Sequence, residues 1–467
     1  MEKEIGKKED TLNPGAACLF QLPIPEPVQK VLDTLNANGE EAWLVGGCVR
    51  DSLRGIAPND YDITTTLRPE QVMARFEHVV PTGIEHGTVT VLQDGCPIEV
   101  TTMRKEGTYR DHRHPDAVSF TRDIREDLAR RDFTINAMAY HPEKGLIDPY
   151  GGIDDLKKRQ IRAVGDPKGR FEEDALRMFR AWAFAARLQG TIEENTLKAI
   201  HEKSALSSTL AAERVAPLIE TVLRDDPCLI EPMADLLRPW IPEVEVMAST
   251  PQCTPYHYGG VLTHTIDVLR YLPHRDPVLL WAALLHDCGK PDVRFHDENG
   301  RDHFHGHEQA SARHAKVILS RLKLPKQLQK DVVKLIPDHD TFFRPAYQSL
   351  YRILVQKGYT KALFEKLMDL QEADIEAHAT KDRRERLDLF RAYFEQEKDR
   401  HPFTIAELKI NGDDVIAQTH LQGSQRRDVL LEVLHQVILH PEWETREDQL
   451  RLLRSAEKVV RNAQKSK

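Results

Sequence analysis

The densest chemistry in the sequence lies between residues 42 and 66, AWLVGGCVRDSLRGIAPNDYDITTT. Asp60 and Asp62 alternate about Tyr61, and on a strand, where side chains change face at each residue, both carboxylates share one face. Two hard oxygen ligands on a rigid strand suit Mg²⁺, with triphosphate oxygens completing its octahedron. In two-ion phosphoryl chemistry one ion activates an attacking 3′-hydroxyl and the other steadies the leaving pyrophosphate. Upstream, a strand running into Gly46-Gly47 and then a helix aims backbone N–H groups and a positive dipole end at an anion. Arg50, one turn on, adds a charge-assisted hydrogen bond to a phosphate. A DxD pair alone is most often a solvated strand end; its nearness to GGxxRD is what points to nucleotide chemistry.

A second group lies on a helix predicted over Glu173–Leu188, apolar at 3.6-residue spacing with acids first and arginines later. Asp174 and Arg177 stand at i, i+3, and Arg180 continues the same face. An aspartate beside an arginine offers acceptors and donors in fixed geometry, which reading the Watson–Crick edge of a base requires. The plain alternative is an intrahelical ion pair of about 0.3–0.5 kcal/mol.

These groups need elements to hold them. Residues 1–25 lack periodicity and end in PIPEP, the mark of a loose tail. Val28–Leu35 reads as an amphipathic helix; Ala42–Val45, Tyr61–Thr66, Val89–Leu92 and Ile98–Thr102 read as strands. Strand signals fade after about Val164. Helical patterns run to about Leu237, a proline-rich break follows, and a histidine-rich helical block occupies roughly 255–400. The remainder closes with charged helices.

With 467 residues, 40% hydrophobic and 30% charged, the chain is long enough for about three domains and too apolar for a disordered protein. Its longest apolar run, Val278–Leu285, is far short of the roughly 20 residues that cross a bilayer. The first ten residues alternate charges and have no signal-peptide core, and six scattered cysteines form no CxxC pair. Those features predict a reduced, cytoplasmic protein with no membrane partner. The formal charge of −9 argues against a generally basic nucleic-acid binder. Local excesses do occur: nine basic against six acidic residues over 154–187, and seven against three over 446–467. They are compatible with an RNA-facing stripe or with solvated helix faces.

Taken together, LVGGCVRD, NDYDITTT, RRDFTINAMAY (130–140), LIDPYGGIDDL (146–156) and RFEEDALRMFRAWAFAARL (170–188) resemble the successive motifs of class II tRNA nucleotidyltransferases. That family comprises CCA-adding enzymes and bacterial poly(A) polymerases, and the resemblance runs over about 27–235. It implies an α+β fold: a small mixed β-sheet head of the polymerase-β nucleotidyltransferase type, then mostly α-helical neck, HD and tail domains. The corresponding boundaries are 1–25 (tail), 26–165 (head), 166–240 (neck), 241–400 (HD) and 401–467 (C-terminal tail). By the resemblance, Asp60 and Asp62 hold two Mg²⁺ ions, with Glu99 of IEVTT as a third carboxylate. Gly46, Gly47 and Arg50 meet the triphosphate, and Arg131 reaches the nucleotide. Asp174 and Arg177 read the base, accepting C or A, and Arg180 contacts the nucleotide. Ala183 stands where the family usually carries another arginine, which puts a further nucleotide contact in doubt. The segment 104–116, RKEGTYRDHRHPD, matches a flexible family loop implicated in the switch from C to A addition.

His264, His286-Asp287 and Asp374 resemble the H…HD…D metal site of HD-superfamily phosphohydrolases, with WAALLHDCGKP as the strongest part of the match. Imidazole and carboxylate ligands suit a divalent transition metal or Mg²⁺, able to activate water against a phosphate ester. His305, His307 and His339 add ligands or steer phosphate; the sequence does not separate these roles. The tail resembles that of HD-containing bacterial members, implying helices that grip tRNA by shape and phosphate, with interdomain packing as the alternative.

The expected activity is template-independent addition of C and A from CTP and ATP to the tRNA 3′ end, releasing pyrophosphate. Two readings compete with it: a metal-dependent phosphohydrolase with a nucleotide- or RNA-binding head, and a relative restricted to CC addition, A addition or poly(A) synthesis.

Overall fold

The computed structural model describes residues 21–106, 118–254, 256, 259–381, 383–400, 402–419, 421, 423–440, 442–443 and 445–465. Most of the expected tail at 1–25, and residues 107–116 of the expected loop, lie outside the described residues. The chain divides into two compact units, with the boundary between Leu210 and Ala211, inside the 166–240 segment.

The first unit is built around one mixed sheet. Its strands are β1 (Ala42–Val45), β2 (Tyr61–Thr65), β3 (Val79–Gly83), β4 (Thr88–Gln93) and β5 (Cys96–Thr102). A separate hairpin, β6 (Arg104–Glu106) and β7 (Val118–Phe120), follows, then β8 (Ala139–His141) and β9 (Gly145–Ile147). The sheet order is β3-β4-β5-β2-β1-β8-β9. Neighbours are antiparallel except β2 and β5, which run parallel.

All four residues of β1 are buried, and the two-residue period of the strand divides them between two cores. Ala42 and Leu44 pack with Val28, Val31, Leu32 and Leu35 of helix α1 (Glu26–Leu35). Trp43 and Val45 pack on the other face with Met103, Leu128 and Val164. A strand covered on both faces must read as continuously apolar, as AWLV does.

Helix α2 (Gly47–Leu53) follows β1 directly, through Gly46 at φ +74°. Further helices are α3 (Pro69–Met73), α4 (Ile124–Ala129), α5 (Gly152–Lys158), α6 (Pro167–Glu173), α7 (Leu176–Leu188) and α8 (Glu194–Lys203). The single helix expected over Glu173–Leu188 is broken. Glu173 ends α6, Asp174 is extended at φ −142° and ψ 103°, and α7 begins at Leu176. The Asp174 carboxylate accepts the Leu176 amide at 3.1 Å. A short acidic side chain that bonds its own backbone competes with the helix, and here it wins.

The second unit is mainly helical. Pro277–Leu285 is buried along Leu279–Leu285, as an apolar-all-round helix must be, and delivers His286 and Asp287 at its end. Around it lie Val261–Tyr271, His307–Arg321, Lys326–Leu335 and Lys361–Ala377, and Arg384–Glu397 packs on the last of these. A two-stranded hairpin, Phe295–His296 with Asp302–His303, interrupts the helices where no strand is expected. Gly412–Thr419, Ser424–Leu439 and Arg446–Lys465 make the tail helical. Among the described residues, no helix is long and apolar enough to cross a membrane.

Candidate active site and metal centre

Strands β2 and β5 set the acidic part of the first unit's site. Their parallel register places Asp62 opposite Glu99. Asp60 lies one residue before β2 and is exposed. Burial, with Asp60 nearby, raises the Asp62 carboxyl above its ordinary range despite the opposing pull of Arg131. Glu99 is raised too, first by desolvation and then by the charge on Asp62. Neighbouring acids that resist ionisation together are what a divalent cation relieves, and their hard oxygen donors fit one.

Asp62 and Glu99 share a cleft of about 390 Å³ with Arg104, Arg131, Asp132, Asp174, Arg177 and Arg180. Gly46, Gly47, Arg50 and Asp60 do not line it. Gly46 instead lies under the Arg131 guanidinium: a Cβ there would stand 2.7 Å from Arg131 Nη1 and 3.6 Å from Asp62 Oδ2. Only glycine permits this approach at a positive φ.

Arg177 is held by three acceptors. Its guanidinium donates to Glu173 Oε2 at 2.6 Å, Arg170 O at 3.1 Å and Arg130 O at 3.2 Å. The expected placement of Asp174 and Arg177 on one helix face does not occur, because the chain turns at Asp174. Arg177 pairs instead with Glu173, across the break between α6 and α7, and Asp174 still reaches the same cleft.

Arg50 is buried and turned inward. It donates to Asn136 Oδ1 at 2.6 Å and to both Asp51 oxygens at 2.9 and 2.8 Å. Asn136 Nδ2 in turn donates to Asp132 Oδ1 at 3.1 Å, and Arg180 Nε donates to Asp132 Oδ2 at 2.8 Å. The guanidinium carbons of Arg50 and Arg180 sit 5.2 and 5.6 Å from the Phe184 ring centre. Asp132, Asn136 and Phe184 therefore tie the two arginines together, and individual motif positions do not announce that role. Burial opposes charge on Asp132, but Arg180 and the bonds from Asn136 and the Phe133 amide hold it below the usual carboxylate range. Ala183 is buried in α7, beside Phe184 in sequence.

In the second unit the four residues of the H…HD…D pattern converge. His264 Nε2 lies 3.0 Å from Asp374 Oδ1 and 3.6 Å from Asp287 Oδ2. His286 Nε2 lies 3.2 Å from Asp287 Oδ2 and 3.7 Å from Asp374 Oδ1. All four are buried. Burial opposes charge on Asp287, yet His286 and Lys290 beside it keep its carboxyl well below the usual range. Among the described residues, the metal-type groups whose ligand atoms lie within 4.8 Å of one another are His264, His286, Asp374 and His286, Asp287, His339. In the head, Asp62 and Glu99 share a cleft that Asp60 does not line.

A cavity of about 330 Å³ opens onto Asp287, Asp374, His307 and His339, and carries Lys290, Arg301 and Arg383. His305 is exposed on its wall, stacked on His303 at 5.8 Å. His307 and His339 are buried. The basic residues of this cavity are a feature that histidine spacing does not reveal.

Each of the two units contains a match to a known domain family. Residues 42–162 match the family model for the poly A polymerase head domain, and residues 256–378 match that for the HD domain. The chain is 48% identical over 204 residues to a CCA-adding enzyme of Limosilactobacillus reuteri, covering 44% of this chain and 51% of that one. It is 50% identical over 189 residues to the Levilactobacillus brevis CCA-adding enzyme, covering 40% and 48%. The chain thus spans about half the length of the curated relatives it matches. The Bacillus stearothermophilus CCA-adding enzyme solved in complex with CTP superposes with a TM-score of 0.68 at 25% identity, over 94% of this chain and 100% of that one. The Thermotoga maritima enzyme complexed with tRNA shares the fold, with a TM-score of 0.57 at 21% identity over 94% and 97%.

Proposed function

We propose that this chain, which belongs to the class II tRNA nucleotidyltransferase and poly(A) polymerase family and carries a fused HD domain, adds C and A from CTP and ATP to the 3′ end of tRNA. The observation that carries this reading is the single cleft shared by Asp62, Glu99, Arg131, Asp174, Arg177 and Arg180. Asp62 and Glu99 offer oxygen ligands; Asp174, Arg177 and Arg180 offer hydrogen-bonding groups suited to a base.

Asp60 and Asp62, aided by Glu99, would hold two Mg²⁺ ions. Such ions lower the pKa of the attacking 3′-hydroxyl and offset charge on the departing pyrophosphate. Arg131, above Gly46 and beside Asp62, orients the triphosphate. Gly46 and Gly47 supply the turn that lets the backbone come close, and Arg50 acts from behind through Asn136 and Asp132. The three acceptors on Arg177 fix its guanidinium before a base arrives, so little freedom is lost on binding. Asp174 presents a carboxylate beside it, and Arg180, steadied by Asp132, completes the nucleotide contact. The 3′-oxygen attacks the α-phosphorus in line, so positioning and electrostatics supply most of the rate. The tail helices would grip tRNA by shape.

A second activity is favoured by the convergence of His264, His286, Asp287 and Asp374 at a cavity bearing Lys290, Arg301 and Arg383: hydrolysis of a phosphate ester at the HD centre. Purified chain incubated with tRNA lacking CCA, ending in C, or ending in CC, given CTP, ATP or both, tests the main reading. Full CCA addition supports it, and CC-only, A-only or poly(A) products place the chain elsewhere in the family. Asp60→Ala with Asp62→Ala should abolish incorporation and spare any ester hydrolysis. Persistent incorporation in that variant defeats the assignment of the head.

A further inference from the structure

We propose that the paired hydroxyls of Thr88 and Thr101 hold the ribose of the RNA acceptor's 3′-terminal nucleotide, and so select a ribose end over a deoxyribose end. This rests on the reading that the head transfers nucleotides to a tRNA 3′ end. Thr88 on β4 stands directly opposite Thr101 on β5, and their Oγ1 atoms lie 3.0 Å apart. Both residues line the cleft that holds Asp62 and Glu99, and both are only partly buried. Thr101 follows Glu99 by two residues on one strand, so its side chain leaves the same face of the sheet, about 7 Å further along.

The sheet order decides which of the two substrates they meet. Counting outward from β1, the strands bring Asp62 first, then Glu99 and Thr101, then Thr88. The groups assigned to the incoming nucleotide sit at the β1 end. Arg131 lies over Gly46, just past β1, and Arg180 shares the Phe184 ring with Arg50 of α2. In-line transfer puts the attacking and departing oxygens on opposite sides of phosphorus. With the triphosphate toward β1 and the carboxylates between, the attacking 3′-oxygen arrives from the side of β5 and β4, where the threonines stand.

The pair has the hydrogen-bonding capacity that a sugar needs. A hydroxyl is both donor and acceptor, and the bond between these two uses one O–H, leaving the other O–H and spare lone pairs for a ligand. A ribose 2′-hydroxyl is likewise donor and acceptor, and it is the group that tells RNA from DNA. Branching at Cβ keeps each threonine in few rotamers, so little freedom is lost on binding. Inward on the same rung, Thr64 pairs with Thr101 across β2 and β5, and its buried hydroxyl has no partner among the described residues. The rung therefore carries more capacity than the protein itself uses. Thr82 and Thr90 form a second hydroxyl pair at 3.0 Å, but they do not line the cleft. That outer pair shows what a purely structural cross-strand bond does.

The test measures CTP incorporation on tRNA lacking CCA and ATP incorporation on tRNA ending in CC, each acceptor ending in either a ribose or a 2′-deoxyribose with a free 3′-hydroxyl. The parent should use the ribose end about 10-fold better in kcat/KM, the scale of one neutral hydrogen bond. Thr88→Val with Thr101→Val keeps the branched shape and removes both hydroxyls. It should slow the ribose acceptor about 10-fold and leave the deoxyribose acceptor at the parent's rate, erasing the preference. Thr88→Ser with Thr101→Ser should retain the preference, and so should Thr82→Val, which breaks only the outer pair. A parent indifferent to the acceptor's 2′-hydroxyl overturns the proposal, as does an undiminished preference, or equal slowing on both acceptors, in the double valine variant. A preference lost against 2′-deoxy-CTP and 2′-deoxy-ATP instead also overturns it, because the pair then serves the incoming nucleotide. No incorporation by the parent on either kind of acceptor overturns the reading of the head as well.

Discussion

Asp62 on β2 and Glu99 on β5 occupy the same rung of two parallel strands, acid facing acid. A directly opposed like-charge pair destabilises a sheet, and burial adds to the cost by raising Asp62. A fold that keeps such a pair in its cleft holds electrostatic strain that a bound cation releases.

That strain has a sign that can be measured. A carboxyl whose folded pKa is raised weakens the fold once pH climbs above its ordinary value of about 4. Asp62→Asn should therefore stabilise the metal-free chain at pH 7 by roughly 0.5 kcal/mol, the scale of a cross-strand pair. The gain should vanish near pH 3, where the parent acid is protonated. Mg²⁺ should raise the melting temperature of the parent but add no head-dependent increment to Asp60→Asn/Asp62→Asn. Nucleotide incorporation by Asp62→Asn should fall at least about 100-fold, corresponding to about 2.7 kcal/mol or more of lost transition-state stabilisation.

Gly46→Ala tests the contact between backbone and Arg131. The backbone at φ +74° and ψ −131° is glycine territory, and the new Cβ would stand 2.7 Å from Arg131 Nη1. Strain of about 1–3 kcal/mol is expected in denaturant unfolding. The guanidinium must also swing away from Asp62, so KM for CTP and ATP should rise beyond what the stability loss explains. An unchanged KM would mean that Arg131 does not meet the nucleotide.

Asp132→Asn tests the tie between Arg180 and Arg50. The variant keeps a group able to bond Asn136 but loses the charge paired with Arg180 at 2.7 Å. Because Arg180 is partly solvated, a stability cost of about 1–2 kcal/mol is expected. The parent's contribution is present above the ordinary carboxylate pKa and fades as pH falls, since the folded pKa is depressed. Thermal melts at pH 7 and pH 3 should therefore differ less for the variant. Incorporation should weaken through KM, and Asp132→Glu should restore part of it.

Much of the head was legible because its signals are local. Strands expected over Val89–Leu92 and Ile98–Thr102 appear as Thr88–Gln93 and Cys96–Thr102, since β-branched residues in alternation suit a half-buried sheet. What escaped the sequence depends on distant pairing or on one side chain overruling a pattern. The register that sets Glu99 against Asp62 joins residues 37 apart, and no local period encodes it. The break at Asp174 hides within an otherwise good helical stripe, because periodicity reports the face but not the cap. His307 and His339 are 32 residues apart and meet only through the packing of their elements, so spacing left their roles undivided. Arg50 looked like a phosphate ligand from its place one turn past a Gly-Gly pair. The inward turn of its guanidinium comes from Asn136 and Phe184, which sequence distance conceals.

Asp302 offers a test at the mouth of the histidine cavity. Its buried carboxylate accepts Arg294 Nε at 2.8 Å and Nη2 at 3.2 Å, and the Cys253 amide at 2.8 Å. His296 Nδ1 lies 3.0 Å away. These bonds pin the Phe295–His303 hairpin that carries Arg301 and His303 to the cavity wall. Burial opposes the charge, but Arg294, the Cys253 amide and His296 hold the carboxyl far below its usual range. Asp302 thus stabilises the fold above about pH 4, and that contribution is lost progressively on acidification. Asp302→Asn should cost about 2 kcal/mol at pH 7, the scale of charge-assisted bonds, and less at pH 3. Hydrolysis of a phosphate ester at the HD centre should lose affinity as the hairpin loosens, while CTP incorporation by the head should be unchanged. Equal denaturation midpoints for parent and variant at pH 7 would show that the hairpin is held by other contacts.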